Sequence, residues 1–181
     1  VVITNKNSFI KNNHKYSGKN IIDKLMFLKK EIPFNELFVL ELDSIKGDDT
    51  NGHVDNMVRF IDDENLVYLA STDKSYVNYD LAKELKNQLE YIKKKSKIIK
   101  DIYPIFHDDR DTLYNDNKYY PYSKLNFIIT SNCIIFPSIT NNNISIFDSL
   151  NDLPIRKIKY NINCEASLIE CGGLHCLSMN I

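Results

Sequence analysis

Gly47-Asp48-Asp49-Thr50-Asn51-Gly52-His53-Val54-Asp55-Asn56 is the stretch that decides the reading of this chain. A loop of acidic residues between two glycines delivers one histidine into a segment where His53, Asp55, Met57 and Arg59 alternate with Val54, Asn56, Val58 and Phe60. That period of two predicts a strand over His53–Ile61. Residues two apart on a strand share a face, so the imidazole of His53 and the carboxylate of Asp55 are expected side by side. Such a pair suits proton transfer next to a cationic group. The same residues also read as a polar strand edge with a surface His–Asp pair. As a metal pattern, Asp48-Asp49 with a single histidine is weak.

Working outward, Asp62-Asp63-Glu64-Asn65 predicts a hairpin turn and Leu66–Ala70 its second strand. Leu81, Ala82, Leu85, Leu89 and Ile92 recur at helical spacing from a start near Asn78, and Ile98–Ile105 predicts the next strand. Upstream, Val1–Thr4 reads as a strand end, Asn12–Gly18 as a turn, Ile21–Leu28 as a helix with Ser17 a candidate cap, and Leu37–Leu42 as a strand. Downstream, His107–Tyr122 reads as a long loop of the kind that covers sites. A hairpin is expected from Leu125–Thr130 and Cys133–Pro137, a short helix from Ile146, Phe147, Leu150 and Leu153, and strands at Arg156–Ile162 and Ala166–Ile169. Hairpin, helix and strand thus recur at roughly 60–65 residues, which predicts α/β modules arranged around an axis.

The tail supplies a second candidate site, Cys171-Gly172-Gly173-Leu174-His175-Cys176. Two glycines allow a sharp turn or a close backbone approach. A cysteine just after such a turn is placed to face a cavity, where its thiolate is a nucleophile for an sp² carbon flanked by nitrogens. The segment reads equally as a buried thiol at a strand turn. His175, adjacent to Cys176, would point to the opposite face of a strand and reads as structural.

Composition excludes several classes of function. Hydrophobic residues make up 43% and charged residues 26%, at a net charge of −1, which describes a folded chain with no field to attract nucleic acid or an anionic membrane. The lysines at 93–95, 97 and 100 read as a solvated helix end. The four cysteines lack CxxC spacing, so neither zinc nor a disulfide framework is expected; Cys133 and Cys164 read as small buried hydrophobes on strands. With no long apolar run and no export signal, a cytoplasmic location is expected.

Together, Gly-Asp-Asp-Thr-x-Gly-His-Val-Asp-Asn and the downstream Gly-Gly-x-His-Cys resemble the agmatine deiminase family, within the wider group that includes bacterial-type peptidylarginine deiminases. Ser123-Lys124-Leu125-Asn126-Phe127 and Val1-Val2-Ile3-Thr4 are similar to two further strands of that family. The resemblance covers residues 1–181 as the C-terminal part of a single guanidine-modifying catalytic domain. It implies an α/β propeller of ββαβ modules, five-bladed in the family, with about three blades present here. It also implies hydrolytic deimination of a guanidinium, with agmatine the leading substrate, no cofactor and no metal. Cys176 would be the nucleophile and His53 the acid/base. Asp55 would hold the guanidinium, with Asp49 a weaker substrate-side carboxylate. Arginine, peptidylarginine or amidino transfer are alternatives, as is a non-catalytic fragment that binds a partner. The chain departs from the family at Asn51, where Asp is usual, and in Cys176-Leu177-Ser178-Met179, which is closer to arginine deiminases. The resemblance further implies a missing N-terminal half, or a second chain, to complete the propeller.

Overall fold

The computed structural model describes residues 1–12, 21–140, 153–170 and 172–178. Its central module runs from β3 (Val58–Phe60) through β4 (Asn65–Ala70) and α3 (Tyr79–Lys95) to β5 (Asp101–Phe106). The turn between β3 and β4 forms because the Asp62 carboxylate accepts from the backbone N–H groups of Glu64 (2.9 Å) and Asn65 (2.8 Å). β3 and β4 are antiparallel, whereas β4 and β5 are parallel, and a parallel pair needs a crossover. α3 provides it, burying Ala82, Leu85, Leu89 and Ile92 along one stripe.

The same strand order recurs downstream, and its parallel pair alone recurs upstream. β8 (Ile128–Ile129) is antiparallel to β9 (Cys133–Ser138), and β9 is parallel to β10 (Ile158–Asn163). At the start, β1 (Val2–Asn5) is parallel to β2 (Leu37–Leu40), with α1 (Lys6–Asn12) and α2 (Ile21–Glu31) between them. The fold is therefore mixed α/β and built of repeated units, and none of the sheets among the described residues is closed. The main core joins the units: Leu40 and Met57 pack in one cluster with Leu66, Leu85, Phe127 and Phe136.

Several expectations are corrected. The strand expected over His53–Ile61 is only Val58–Phe60, and Val54–Asn56 is a 3-10 turn closed by Met57 N–H donating to Val54 O (2.9 Å). The alternation misled because three residues, Asn56, Met57 and Val58, are buried in succession. In place of the Leu125–Thr130 strand, Ser123–Asn126 is a turn, closed by Asn126 N–H on Ser123 O (3.1 Å), and β8 begins at Ile128. The loop expected over His107–Tyr122 holds a capping box, in which Asp108 and Asp111 cap a 3-10 turn over Asp109–Asp111. A hairpin follows, β6 (Leu113–Asn115) with β7 (Lys118–Tyr120). Asp116 (φ 48°) and Asn117 (φ 59°) make its tight turn with both residues left-handed, a geometry more often signalled by Asn-Gly. The strand expected at Ala166–Ile169 is a helix, α4 (Glu165–Ile169), because Asn163 Oδ1 accepts from Glu165 N–H (2.9 Å) and Leu168 N–H reaches Cys164 O (3.0 Å). The expected turn after Asn12, the Ser17 cap, the helix residues Ile146 to Leu150 and Cys171 lie outside the described residues.

A buried polar cluster braces the Ser123–Asn126 turn. Lys124 Nζ meets Asp111 Oδ2 at 2.8 Å and donates to Phe106 O at 2.9 Å, with both charged side chains almost wholly buried. His107 is buried beside them. Its Nδ1 faces Ile105 O at 2.9 Å, and its Nε2 accepts from Lys124 N–H at 3.1 Å. That arrangement requires a neutral ring with the proton on Nδ1. Burial, reinforced by the Lys124 charge, lowers the His107 pKa to about 3.

A stability prediction follows. Between pH 6.5 and pH 3 the unfolded chain binds a proton that folded His107 refuses, so stability is lost as pH falls through the unfolded value. The loss between pH 7 and pH 5 is expected to be about 2 kcal/mol for this group. His107→Gln keeps a donor and an acceptor but cannot titrate, so its denaturant midpoint should fall less over that interval. Identical slopes for the two proteins would show that His107 protonates freely in the fold.

Candidate functional site

The loop before His53 is shaped by its own carboxylate. Asp48 accepts from Gly52 N–H (2.7 Å), Thr50 N–H (3.1 Å) and the Thr50 hydroxyl. Gly52 (φ +85°) turns the chain where an added side chain would strike the Asn5 amide. Asn5, at the end of β1, fastens the loop by donating to Gly52 O and Leu42 O, each at 3.1 Å. Asp48 is thus occupied inside the loop, and Asp49 is exposed. Among the described residues no group of three or more His, Cys, Asp or Glu side chains is arranged to hold a metal.

His53 is half-buried at the N-cap of the 3-10 turn, its N–H 3.4 Å from Thr50 Oγ1 and its carbonyl accepting from Asn56 N–H at 3.3 Å. Asp55 is on the same turn. Its Oδ2 lies 2.7 Å from His175 Nδ1, 3.2 Å from Asn126 Nδ2 and 3.9 Å from Cys176 Sγ. Its Oδ1 is buried and has no hydrogen-bond partner in the structure. A carboxylate oxygen in that state is suited to accept from an added N–H donor.

The two glycine-containing motifs, 121 residues apart at Asp55 and Cys176, therefore meet. Residues Leu174–Leu177 form a turn, closed by Leu177 N–H on Gly173 O (3.2 Å) and Ser178 N–H on His175 O (3.0 Å). In a turn, neighbouring side chains need not diverge as they do on a strand. His175 and Cys176 accordingly both reach Asp55, contrary to the opposite-face expectation for His175. Cys176 is exposed, as a nucleophile requires, and is not the buried thiol of the alternative reading.

Asn126 is the residue the sequence reading left out of the site. Its side chain bridges the motifs, donating to Asn56 Oδ1 (2.9 Å) and Asp55 Oδ2 (3.2 Å) and accepting from His175 N–H (2.8 Å). Ser123 Oγ ties the same turn to Asn56 O at 2.7 Å. In the sequence Asn126 stands out only as a polar residue between Leu125 and Phe127, in the segment Ser123–Phe127 that resembles a family strand. Arg59 on β3 adds a cation. Its guanidinium lies 4.6 Å from the Phe127 ring and donates to Phe127 O at 3.0 Å. Burial lowers its pKa, opposed by the nearby Asp55 and Cys176. A cleft of about 400 Å³ opens beside the turn and is lined by Asp55, Arg59, Val54, Val58, Phe60, Leu66 and residues Val1–Ile3; neither His53 nor Cys176 lines it.

A family model described as Porphyromonas-type peptidyl-arginine deiminase matches residues 1–181. No curated protein matches the sequence. Among solved structures, a C. jejuni agmatine deiminase variant with substrate bound is similar, at TM-score 0.80 and 23% identity, over 96% of this chain and 50% of that one. An agmatine deiminase of Enterococcus faecalis is similar at TM-score 0.78 and 17% identity, over 97% of this chain and 52% of that one. The chain thus spans about half the length of these structures.

Proposed function

The chain belongs to the Porphyromonas-type peptidyl-arginine deiminase family, and we propose that it contributes the nucleophile and one guanidinium-binding carboxylate to the hydrolytic deimination of a guanidine. The observation that carries this reading is the junction of the exposed Cys176 with Asp55, whose Oδ1 is buried and unpartnered. A guanidinium is planar and cationic, and a carboxylate oxygen fixes it by a charge-assisted hydrogen bond. Held there, its carbon lies close to the thiolate, which supplies proximity and orientation.

In this mechanism Cys176 Sγ attacks the guanidinium carbon. The tetrahedral adduct collapses as one amino group leaves as ammonia, taking a proton from His53. Water, deprotonated by His53, then attacks the S-bound thiouronium carbon, and the C–S bond breaks to release a ureido product and the free thiolate. His53 is proposed for this role because it starts the turn that carries Asp55. Asp49, exposed at the loop tip, is proposed as a substrate-side carboxylate. Agmatine, which would give N-carbamoylputrescine, is the leading substrate, since the two agmatine deiminase structures match nearly the whole chain. We further propose that a separate first half, or a second copy, completes a five-bladed propeller of which about three modules are supplied here. The repeated two-plus-one strand order supports this. A cytoplasmic site of action fits a small-molecule hydrolase with a reduced nucleophile; among the described residues no helix is long and apolar enough to cross a membrane.

The test is release of ammonia from agmatine, arginine and a peptidyl arginine, together with labelling by a haloacetamidine. Cys176 is expected to be alkylated ahead of Cys133 and Cys164, with protection by the preferred substrate. Cys164 is buried, which pushes its thiol pKa up to about 11, and Cys133 Sγ contacts Thr130 Oγ1 at 3.2 Å. Labelling that follows exposure alone, with no substrate protection, would remove the assignment.

A further inference from the structure

We propose that the outer face of the last sheet, carried by Ile158, Tyr160 and Ile162 of β10, docks the first module of a second copy of this chain. This rests on the reading that the modules of one chain need completing, and it names what completes them. It does not rest on which guanidine is the substrate.

The argument starts from a strand whose alternation is inverted. Ile158, Tyr160 and Ile162 are 59%, 51% and 48% exposed, while Lys159 and Asn161 on the other face of β10 are half-buried. The central module shows what this face requires. There, Arg59 pairs with Val67 and Val67 with Tyr103, and residues paired across strands share a face. The last module covers that face. The Arg59 guanidinium lies over the Phe127 ring, and Val67, Leu69 and Ile105 are wholly buried in the core that Leu125 and Phe127 join. In the last module the counterpart row is Ile128 paired with Ile135 and Ile135 with Tyr160, and Ile162 stands where Ile105 stands. The face that is buried in one module is open in the next.

The first module is open in the complementary sense. Its sheet has two strands where those of the other two modules have three. Ile3 and its partner Phe38 pack against the main core, so Val2, Thr4, Leu37 and Val39 face the other way. All four are half-buried, and among the described residues Val2, Leu37 and Val39 stand outside the core cluster. One chain therefore carries both halves of a module-to-module contact, one at each end. Joining unlike patches is a heterologous contact, which two copies close into a pair by making it twice. With the half-buried Ile128 and Ile135 beside them, the three β10 side chains present on the order of 400 Å² of apolar surface, a size that marks interaction sites. Two such patches per copy reach the about 800 Å² per partner of a stable complex. β10 runs into α4, whose Ser167 O accepts from Gly172 N–H at 2.9 Å, so the contact braces the element that leads to Cys176.

Sedimentation equilibrium of the chain at micromolar concentration is expected to give twice the mass of one copy. Tyr160→Lys, at the centre of the strand patch, and Thr4→Lys, on the outer face of the first sheet, should each weaken association about a hundredfold, as loss of a central contact does. Mixing the two variants should restore a pair, because each supplies the patch that the other has lost. Circular dichroism checks that both fold, and Ile162→Lys and Val39→Lys repeat the experiment at neighbouring positions. A monomeric parent overturns the proposal, as does a mixture of variants that stays monomeric. Loss of the pair in Tyr160→Lys but not in Thr4→Lys also overturns it, since two like faces would then be meeting. So does association that appears only when a separately expressed N-terminal half of the C. jejuni agmatine deiminase is added. Mass is read without any guanidine, so these outcomes stay separate from failure of the deiminase reading, which the ammonia assay decides.

Discussion

Cys176→Ser is expected to keep the fold and to lower guanidine turnover by about four to six orders of magnitude, the scale seen when a nucleophile acting as part of a unit is removed. The fold is expected to survive because Cys176 is exposed and contributes little packing; its sulfur makes long polar contacts, at 3.6 Å to Asn126 Nδ2 and 3.9 Å to both Asn126 Oδ1 and Asp55 Oδ2. The chemistry is expected to fail because a serine hydroxyl is a far weaker nucleophile than a thiolate toward a guanidinium carbon. Arg59, which interacts with both Asp55 and Cys176, offers a positive charge that a thiolate uses and a neutral hydroxyl does not. Substrate affinity should change far less than turnover, since Asp55 and its unpartnered Oδ1 are untouched. The measurement is ammonia release with a parallel thermal melt. Turnover within tenfold of the parent would move the nucleophile elsewhere.

The elements that could be read in the sequence were those held by local rules. α3 was legible because its apolar stripe repeats at helical spacing over about three turns, and the β3–β4 turn because Asp62 caps it with its own side chain. Elements set by tertiary packing were not. The 3-10 turn at Val54–Asn56 looks like strand in its alternation, and only the depth at which Asn56 and Met57 are buried shows otherwise. The hairpin of β6 and β7 hides behind an Asp116-Asn117 turn with no glycine. In the site, the two motifs were visible because glycine, histidine, aspartate and cysteine cluster within a few residues. Their meeting depends on Asn126, lying between them in sequence and carrying no chemistry of its own. No spacing rule points to a lone amide, and its role became visible only from the acceptors around it.

The site therefore leans on residues outside it, and Lys124 is the one whose loss is expected to matter most to the fold. The Ser123–Asn126 turn is almost wholly buried, Lys124 included. Lys124→Met fills nearly the same volume but leaves Asp111 buried without its cation, and breaking one partner of a buried pair costs about 3–5 kcal/mol. Burial already raises the Asp111 pKa, with Lys124 opposing the rise. Without that opposition the carboxyl should take up a proton more readily. A group whose folded pKa is raised favours folding as pH falls, so the penalty of Lys124→Met should shrink from pH 8 to pH 5. The acid loss assigned to His107 should also ease in the variant, because the Lys124 charge is one cause of the lowered His107 pKa. Pairing Lys124→Met with Asp111→Asn removes the stranded charge and should recover most of the lost stability, which direct loss of packing would not allow. Chemical denaturation of the four proteins at the two pH values decides between these accounts. A pH-independent penalty, unrelieved in the double variant, would show that Lys124 acts through its methylenes and its bond to Phe106 O rather than through Asp111.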